Sequence, residues 1–195
     1  MRLLRPAADA IARALVRQGI TANQITLAGF GIGLFASFLI ATNHHLAGTF
    51  AIFTSRTCDA LDGAVARQTQ ITDAGGFLDI TLDFLFYASV PLAFAVSNPA
   101  TNALPAAVLL AAFIGTGSSF LAFAALAAKR NMTSTAYPAK SFYFLGGLTE
   151  ATETLVFFTA MGLWPQHFGA LAYLFAALCG GTIFTRIWWG WKAFR

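Results

Sequence analysis

Residues 56–67 read Arg56-Thr57-Cys58-Asp59-Ala60-Leu61-Asp62-Gly63-Ala64-Val65-Ala66-Arg67, and residues 75–83 read Gly75-Gly76-Phe77-Leu78-Asp79-Ile80-Thr81-Leu82-Asp83. The chain has eight acidic residues in 195, and four of them, Asp59, Asp62, Asp79 and Asp83, fall in these two runs. A spacing of three puts Asp59 and Asp62 on one face of a helix, and a spacing of four does the same for Asp79 and Asp83. Helices joined by a short link pack antiparallel, so the two pairs converge.

Around this acidic stretch the chain is apolar. Hydrophobic residues make up 57%, charged residues 10%, and there are 20 Phe. A soluble domain carries about 25% charged residues, so lipid is the solvent this composition suits. A spanning helix needs roughly 20 mostly apolar residues. Six segments meet that length: 20–42, 46–67, 75–97, 103–128, 141–163 and 168–191. Before them, Leu3, Leu4, Ala7, Ile11, Leu15 and Val16 recur at helical spacing, with Arg5, Asp9, Arg13 and Arg17 on another face. Residues 3–18 therefore read as an amphipathic juxtamembrane helix lying in the headgroup layer, with a soluble cap helix as the alternative. The expectation is an all-α integral membrane protein, one membrane domain over 1–195 without internal repeat or cleavable signal.

Charge alternates along the connections. Segments 43–46, 98–102 and 163–168 hold no Lys or Arg, whereas Arg2, Arg5, Arg13 and Arg17, then Arg67, then Lys129, Arg130 and Lys140, then Lys192 and Arg195 cluster at the others. All twelve Lys and Arg are expected in or beside these connections. The positive-inside rule puts both termini and the acidic stretch on the cytoplasmic side of a multi-pass inner-membrane protein. Trp164, Trp188, Trp189 and Trp191 suit interfacial anchoring. The net charge of +4 has this membrane explanation and gives no case for nucleic acid. Cys58 and Cys179 sit in apolar runs and read as buried hydrophobes, not a disulfide. His44, His45 and His167 read as surface residues of the opposite side. Phe84-Leu85-Phe86-Tyr87 reads as lipid-facing or packing.

Four carboxylates gathered near a membrane are costly and repel one another. Arg56 and Arg67 offset two charges at most, so a hard, oxygen-ligated cation such as Mg²⁺ or Mn²⁺ is the economical complement. Gly63 and Ala66 share the carboxylate side of their helix and let a ligand or helix approach the backbone.

These residues resemble the signature of the CDP-alcohol phosphotransferases, Asp-x-x-Asp-Gly-x-x-Ala-Arg, a linker, then Gly-x-x-x-Asp-x-x-x-Asp. Asp59, Asp62, Gly63, Ala66, Arg67, Gly75, Asp79 and Asp83 match in order. The linker, Gln68 to Ala74, is one residue short, unless Gly76 takes the glycine position. Gly19-Ile20-Thr21-Ala22-Asn23-Gln24-Ile25-Thr26 is similar to the segment leading into the family's first span, with Ala22 where Pro is usual.

The resemblance implies transfer of a phosphatidyl group from CDP-diacylglycerol to the hydroxyl of a small, in some relatives phosphorylated, alcohol, with release of CMP. Transfer of a CDP-linked head group to a lipid alcohol is the alternative within the family. It further implies two divalent cations, Mg²⁺ or Mn²⁺, held by Asp59, Asp62 and Asp79, with Asp83 as general base beside the second ion. CDP contacts fall to Asp59, Asp62, Gly63, Ala66, Arg67, Gly75 and Asp79, and the assembly implied is a homodimer. Arg56 either neutralises the cluster or meets a phosphate.

For the acceptor pocket the candidates are Glu150, Glu153, Arg56, Arg130 and Lys140. Glu150 and Glu153 share a face of the fifth predicted helix, and either line the pocket or pair structurally. Lys129, Arg130 and Lys140 either hold an acceptor phosphate or serve as positive-inside anchors. A cation-coupled transporter explains carboxylates within helices but not the ordered Asp-Gly, Ala-Arg and Gly elements, and a structural membrane protein leaves the cluster unexplained.

Overall fold

The computed structural model describes residues 5–130, 132 and 151–195. Among them are seven helices: α1 (Arg5–Arg17), α2 (Ala22–Ala41), α3 (His45–Gln68), α4 (Asp73–Ser97), α5 (Pro99–Lys129), α6 (Ala151–Leu163) and α7 (Phe168–Phe194). A 3-10 turn, Pro165–His167, precedes α7, and no strand occurs among the described residues. Lys140 and Glu150, and the first ten residues of the segment 141–163, lie outside the described residues.

Local sequence sets the helix ends. At the end of α1 the Gly19 N–H bonds Val16 O at 3.0 Å and the Ile20 N–H bonds Leu15 O at 3.1 Å, with Gly19 at φ 77. This is a Schellman motif, and the left-handed φ is one that glycine adopts without Cβ strain. The end of α2 repeats it with Asn43 at φ 65, an uncommon conformation that Asn tolerates better than most residues. Thr21 and Gln24 form a capping box at the start of α2. Thr72 caps α4, its Oγ1 accepting from the Gly75 N–H at 3.1 Å.

Among the described residues four helices are long and apolar enough to cross a membrane: α2, α4, α5, and α7 taken with its preceding turn. The described residues thus show four of the six expected spans by length and composition. The α3 helix is long enough, at 24 residues and about 36 Å, but carries Arg56, Asp59, Asp62 and Arg67. The 13 described residues of α6 fall short of a span. The expected connection 98–102 shrinks to Asn98, because Pro99 starts α5, where its missing N–H has no partner to lose. Nor are all basic residues at connections: Arg186 lies inside α7, 9% exposed, its Nη1 donating to Thr116 O at 2.9 Å.

Contacts divide the chain into two compact units, Met1–Ala93 and Phe94–Arg195. In the first, α2 and α3 pack along their length, and α1 lies on α3. Ala12, Ile25, Ala64 and Val65 form a buried cluster there, with Leu15, Val16, Ile20 and Leu61 against it. The Gln68 amide donates to Asp9 O at 3.0 Å and ties the two helices further. In the second unit α5 packs on α7 around phenyl rings, with Phe94 stacked on Phe168 and Phe157 on Phe175, both at 4.5 Å.

A candidate metal and phosphate site

The acidic residues gather inside the first unit. Asp59 of α3 and Asp79 and Asp83 of α4 each offer an oxygen, and the three lie within 4.8 Å of one another. Asp62, one turn beyond Asp59 and only 7% exposed, lines the same cleft. That cleft spans about 230 Å³ including its open mouth. The four-residue link 69–72 between α3 and α4 lets the two pairs come together.

The carboxylates are held by partners on α2 and α3. Thr26 Oγ1 donates to Asp62 Oδ2 at 2.6 Å. Arg56 Nη1 lies 2.6 Å from Asp83 Oδ1 and 3.4 Å from Asp59 Oδ1. Its guanidinium sits 4.2 Å from the Phe86 ring centroid and 5.6 Å from that of Tyr87, close enough for cation–π attraction. Ser55, fully buried, donates to Gly29 O at 2.7 Å. A Cβ on Gly29 would stand 2.9 Å from Cys58 Cβ, so glycine is what lets α2 approach α3 beside Asp59.

The donor set fits a divalent cation. Asp59, Asp79 and Asp83 supply hard carboxylate oxygens, the ligands Mg²⁺ and Mn²⁺ take, and no thiol or imidazole belongs to the trio. The net charge of the four carboxylates and Arg56 leaves room for added positive charge.

Other expected site residues take varied places. The two glycines after the short linker separate clearly: a Cβ on Gly75 would come within 3.1 Å of Thr72 Oγ1 and 3.2 Å of Asn23 Oδ1, whereas Gly76 meets nothing within 4 Å. Close approach therefore falls at Gly75. Gly63 adjoins Arg67, whose Nη1 would be 3.2 Å from an added Cβ. Ala66 is half-buried and Arg67 exposed. Arg130 is engaged at the end of α7, donating to Phe194 O at 2.7 Å and Ala193 O at 3.4 Å, where it satisfies carbonyls that a helix end leaves open. Glu153 is exposed in the first turn of α6.

Thr26, Ser55 and Gly29 carry no role in the sequence reading, and Phe86 reads there only as lipid-facing or packing. Phe86 is 1% exposed and lies under Arg56. Its position was legible, since residues three and four beyond Asp83 share its helix face. Thr26 gave no comparable signal, because its partner lies 36 residues away.

The sequence model of the CDP-alcohol phosphatidyltransferase family matches residues 19–188. Inner membrane protein YnjF of Escherichia coli K12 is 52% identical over 192 residues, covering 98% of this chain and 93% of its own. Archaetidylinositol phosphate synthase of Pyrococcus horikoshii is 40% identical over 83 residues, 42% of this chain and 44% of its own length. The fold is that of Mycobacterium tuberculosis phosphatidylinositol phosphate synthase PgsA1 with CDP-DAG bound. That structure matches with a TM-score of 0.75 at 22% identity, over 94% of this chain and 93% of that one. A second structure of that enzyme, in complex with manganese and citrate, matches with the same TM-score over 94% of this chain and 88% of that one. On the family match over residues 19–188 and the likeness to YnjF along nearly the whole chain, this protein belongs to the CDP-alcohol phosphatidyltransferase family and is a membrane transferase of phospholipid synthesis.

Proposed function

We propose that the protein transfers the phosphatidyl group of CDP-diacylglycerol to the hydroxyl of a phosphorylated polyol, releasing CMP. The observation that carries this reading is the convergence of Asp59, Asp79 and Asp83 within 4.8 Å in a chain of this family. The donor assignment draws support from CDP-DAG bound to PgsA1, a protein of the same fold. Inositol phosphate is the first acceptor to assay, because the archaeal relative is named for an inositol phosphate product.

Asp59, Asp79 and Asp83, with Asp62 beside them, would hold two divalent cations. Bound there, Mg²⁺ or Mn²⁺ supplies positive charge against the charge that develops as the pyrophosphate bond breaks. The chain's own residues do the rest. Asp83 accepts the proton of the acceptor hydroxyl as its oxygen bonds the β-phosphorus (the one bearing the diacylglycerol), and the bond from that phosphorus to CMP breaks. Arg67, exposed at the end of α3 beside Gly63, meets a donor phosphate. Gly63, Ala66 and Gly75 leave room for the CDP to approach the backbone.

The molecule on this reading sits in the inner membrane, in line with the name of its E. coli relative. It has six spans, counting α3 and the segment 141–163. Arg56, Asp59 and Asp62 line the cleft, which removes the main objection to α3 as a span. Both termini and the cleft face the cytoplasm, by the distribution of Lys and Arg, and the working assembly is the homodimer the family resemblance implies.

Purified protein given CDP-diacylglycerol, Mn²⁺ and inositol phosphate is expected to release CMP. Asp83→Asn should lower kcat by about 1,000-fold or more, at the upper part of what a lost general base costs. No CMP with inositol phosphate, glycerol 3-phosphate, serine or choline would refute the reaction; an unimpaired Asp83→Asn would refute the assigned base.

A further inference from the structure

Arg56 stands within the carboxylate cluster, and its fixation is more elaborate than that of a surface ion pair. Its Nη1 is shared between Asp83 Oδ1 and Asp59 Oδ1, at 2.6 and 3.4 Å. Nη2 donates to Ser55 Oγ at 3.3 Å, and Ser55 is itself anchored to Gly29 O at 2.7 Å. Phe86 lies beneath the guanidinium. The side chain is 16% exposed, so water screens these contacts weakly. Both carboxylates that Arg56 engages belong to the trio suited to a divalent cation.

We propose that Arg56 is an internal competitor of the divalent cation, drawing on the same carboxylates and setting the affinity with which the cluster takes the ion. The inference rests on reading Asp59, Asp79 and Asp83 as the ion's ligands. An ion entering the trio either takes carboxylate oxygens from Arg56 or shares them across a like charge, and both lower its affinity. The same contacts balance the cluster in folding, since Arg56 pairs two of four neighbouring carboxylates that otherwise repel each other. Weaker binding has a use in a transferase that must release CMP, because an ion held too firmly retains the product phosphate with it.

The test is Mn²⁺ binding to the full chain in detergent micelles, followed by the electron paramagnetic resonance signal of free Mn²⁺ without any substrate. Arg56→Gln is expected to bind Mn²⁺ about tenfold more tightly or better. Its unfolding temperature should be lower than the parent's in chelator and should rise more on adding Mn²⁺. Arg56→Lys keeps the charge but loses the planar fork and the stacking. It should bind a few-fold more tightly than the parent, and it serves if the glutamine variant does not fold. Unchanged or weaker Mn²⁺ binding in the variants overturns the competition while leaving the cation site standing. Absence of Mn²⁺ binding in parent and variants alike overturns both.

Discussion

The two units of the chain solve the packing of helices in opposite ways. Between α2 and α3 side chains are pared away: Gly29 meets Cys58, Gly48 meets Ile40 and the Ala36 carbonyl, and Gly33 meets the Ser55 hydroxyl. The gaps are bridged by polar bonds, Ser55 to Gly29 and Thr26 to Asp62. Between α5, α6 and α7 side chains are added instead, with Phe113, Phe157 and Phe158 all ringed about Phe175. Lipid tails are as apolar as a phenyl ring, so neither unit gains much from burying hydrocarbon as such. The aromatic unit gains by dispersion between rings, and the polar unit by close backbones and satisfied donors. Only the polar manner of packing leaves oriented oxygens in a cleft, which is why the chemistry belongs with the glycines and not with the phenylalanines.

The largest effect that would break this contrast is a cavity in the aromatic unit. Phe175 is fully buried, with the rings of Phe157, Phe113 and Phe158 centred 4.5, 5.4 and 6.4 Å away. Phe175→Ala is expected to cost about 3–5 kcal/mol of stability, the range for a buried phenyl, and Phe175→Leu under about half of that. Unfolding midpoints in detergent measure both. A loss below about 1 kcal/mol for the alanine variant would mean that ring packing does not hold this unit together.

The next effect concerns close approach. Gly29→Ala places a methyl 2.9 Å from Cys58 Cβ, a rigid neighbour, so the helices must part. The expected loss is about 1–3 kcal/mol, in the range of core overpacking, together with reduced CMP release, because Gly29 lines the cleft with Asp59. Gly31→Ala in the same helix meets nothing within 4 Å and should gain up to about 1 kcal/mol from helix propensity. In the aromatic unit Gly115→Ala would press on Ile183 Cδ1, the end of a flexible chain that can turn away, and should be close to neutral. If Gly29→Ala and Gly115→Ala behave alike, the two packing modes are not distinct.

How much of this was legible in the sequence follows from the range of the interactions. Helix positions came from local apolar runs, and α2, α3 and α4 begin and end within two residues of the segments 20–42, 46–67 and 75–97. The carboxylate cluster was legible because spacing along each helix and a short link suffice to bring Asp59, Asp79 and Asp83 together. Whether Gly75 or Gly76 is the tight position was not, since it depends on Asn23 from another helix. The same holds for Thr26 with Asp62 and Arg56 with Asp83, pairs 36 and 27 residues apart. For Arg130 the sequence leaves an acceptor phosphate and a positive-inside anchor open, and the structure shows its guanidinium donating to the Ala193 and Phe194 carbonyls. Composition alone does not mark α3 as a span, for the reason that makes α3 functional: the charges that build the cleft remove it from the apolar class.

The smallest effect is the most specific to the polar unit. Thr26 Oγ1 lies 2.6 Å from Asp62 Oδ2 and 3.0 Å from Ala22 O, but a hydroxyl has one proton to give. The shorter, charge-assisted contact takes it, which fixes one oxygen of Asp62. Thr26→Val keeps the shape and removes the donor. It should cost about 1 kcal/mol of stability, and about tenfold in kcat/KM if Asp62 loses its orientation. Thr26→Ser should retain most of the activity, since the hydroxyl survives. In the aromatic unit Thr159 donates to Leu155 O within its own helix, so Thr159→Val should change stability by under about 0.5 kcal/mol. Activity undiminished in Thr26→Val would show that Asp62 is held by its helix alone, and that α2 supplies the cleft with space but not with orientation.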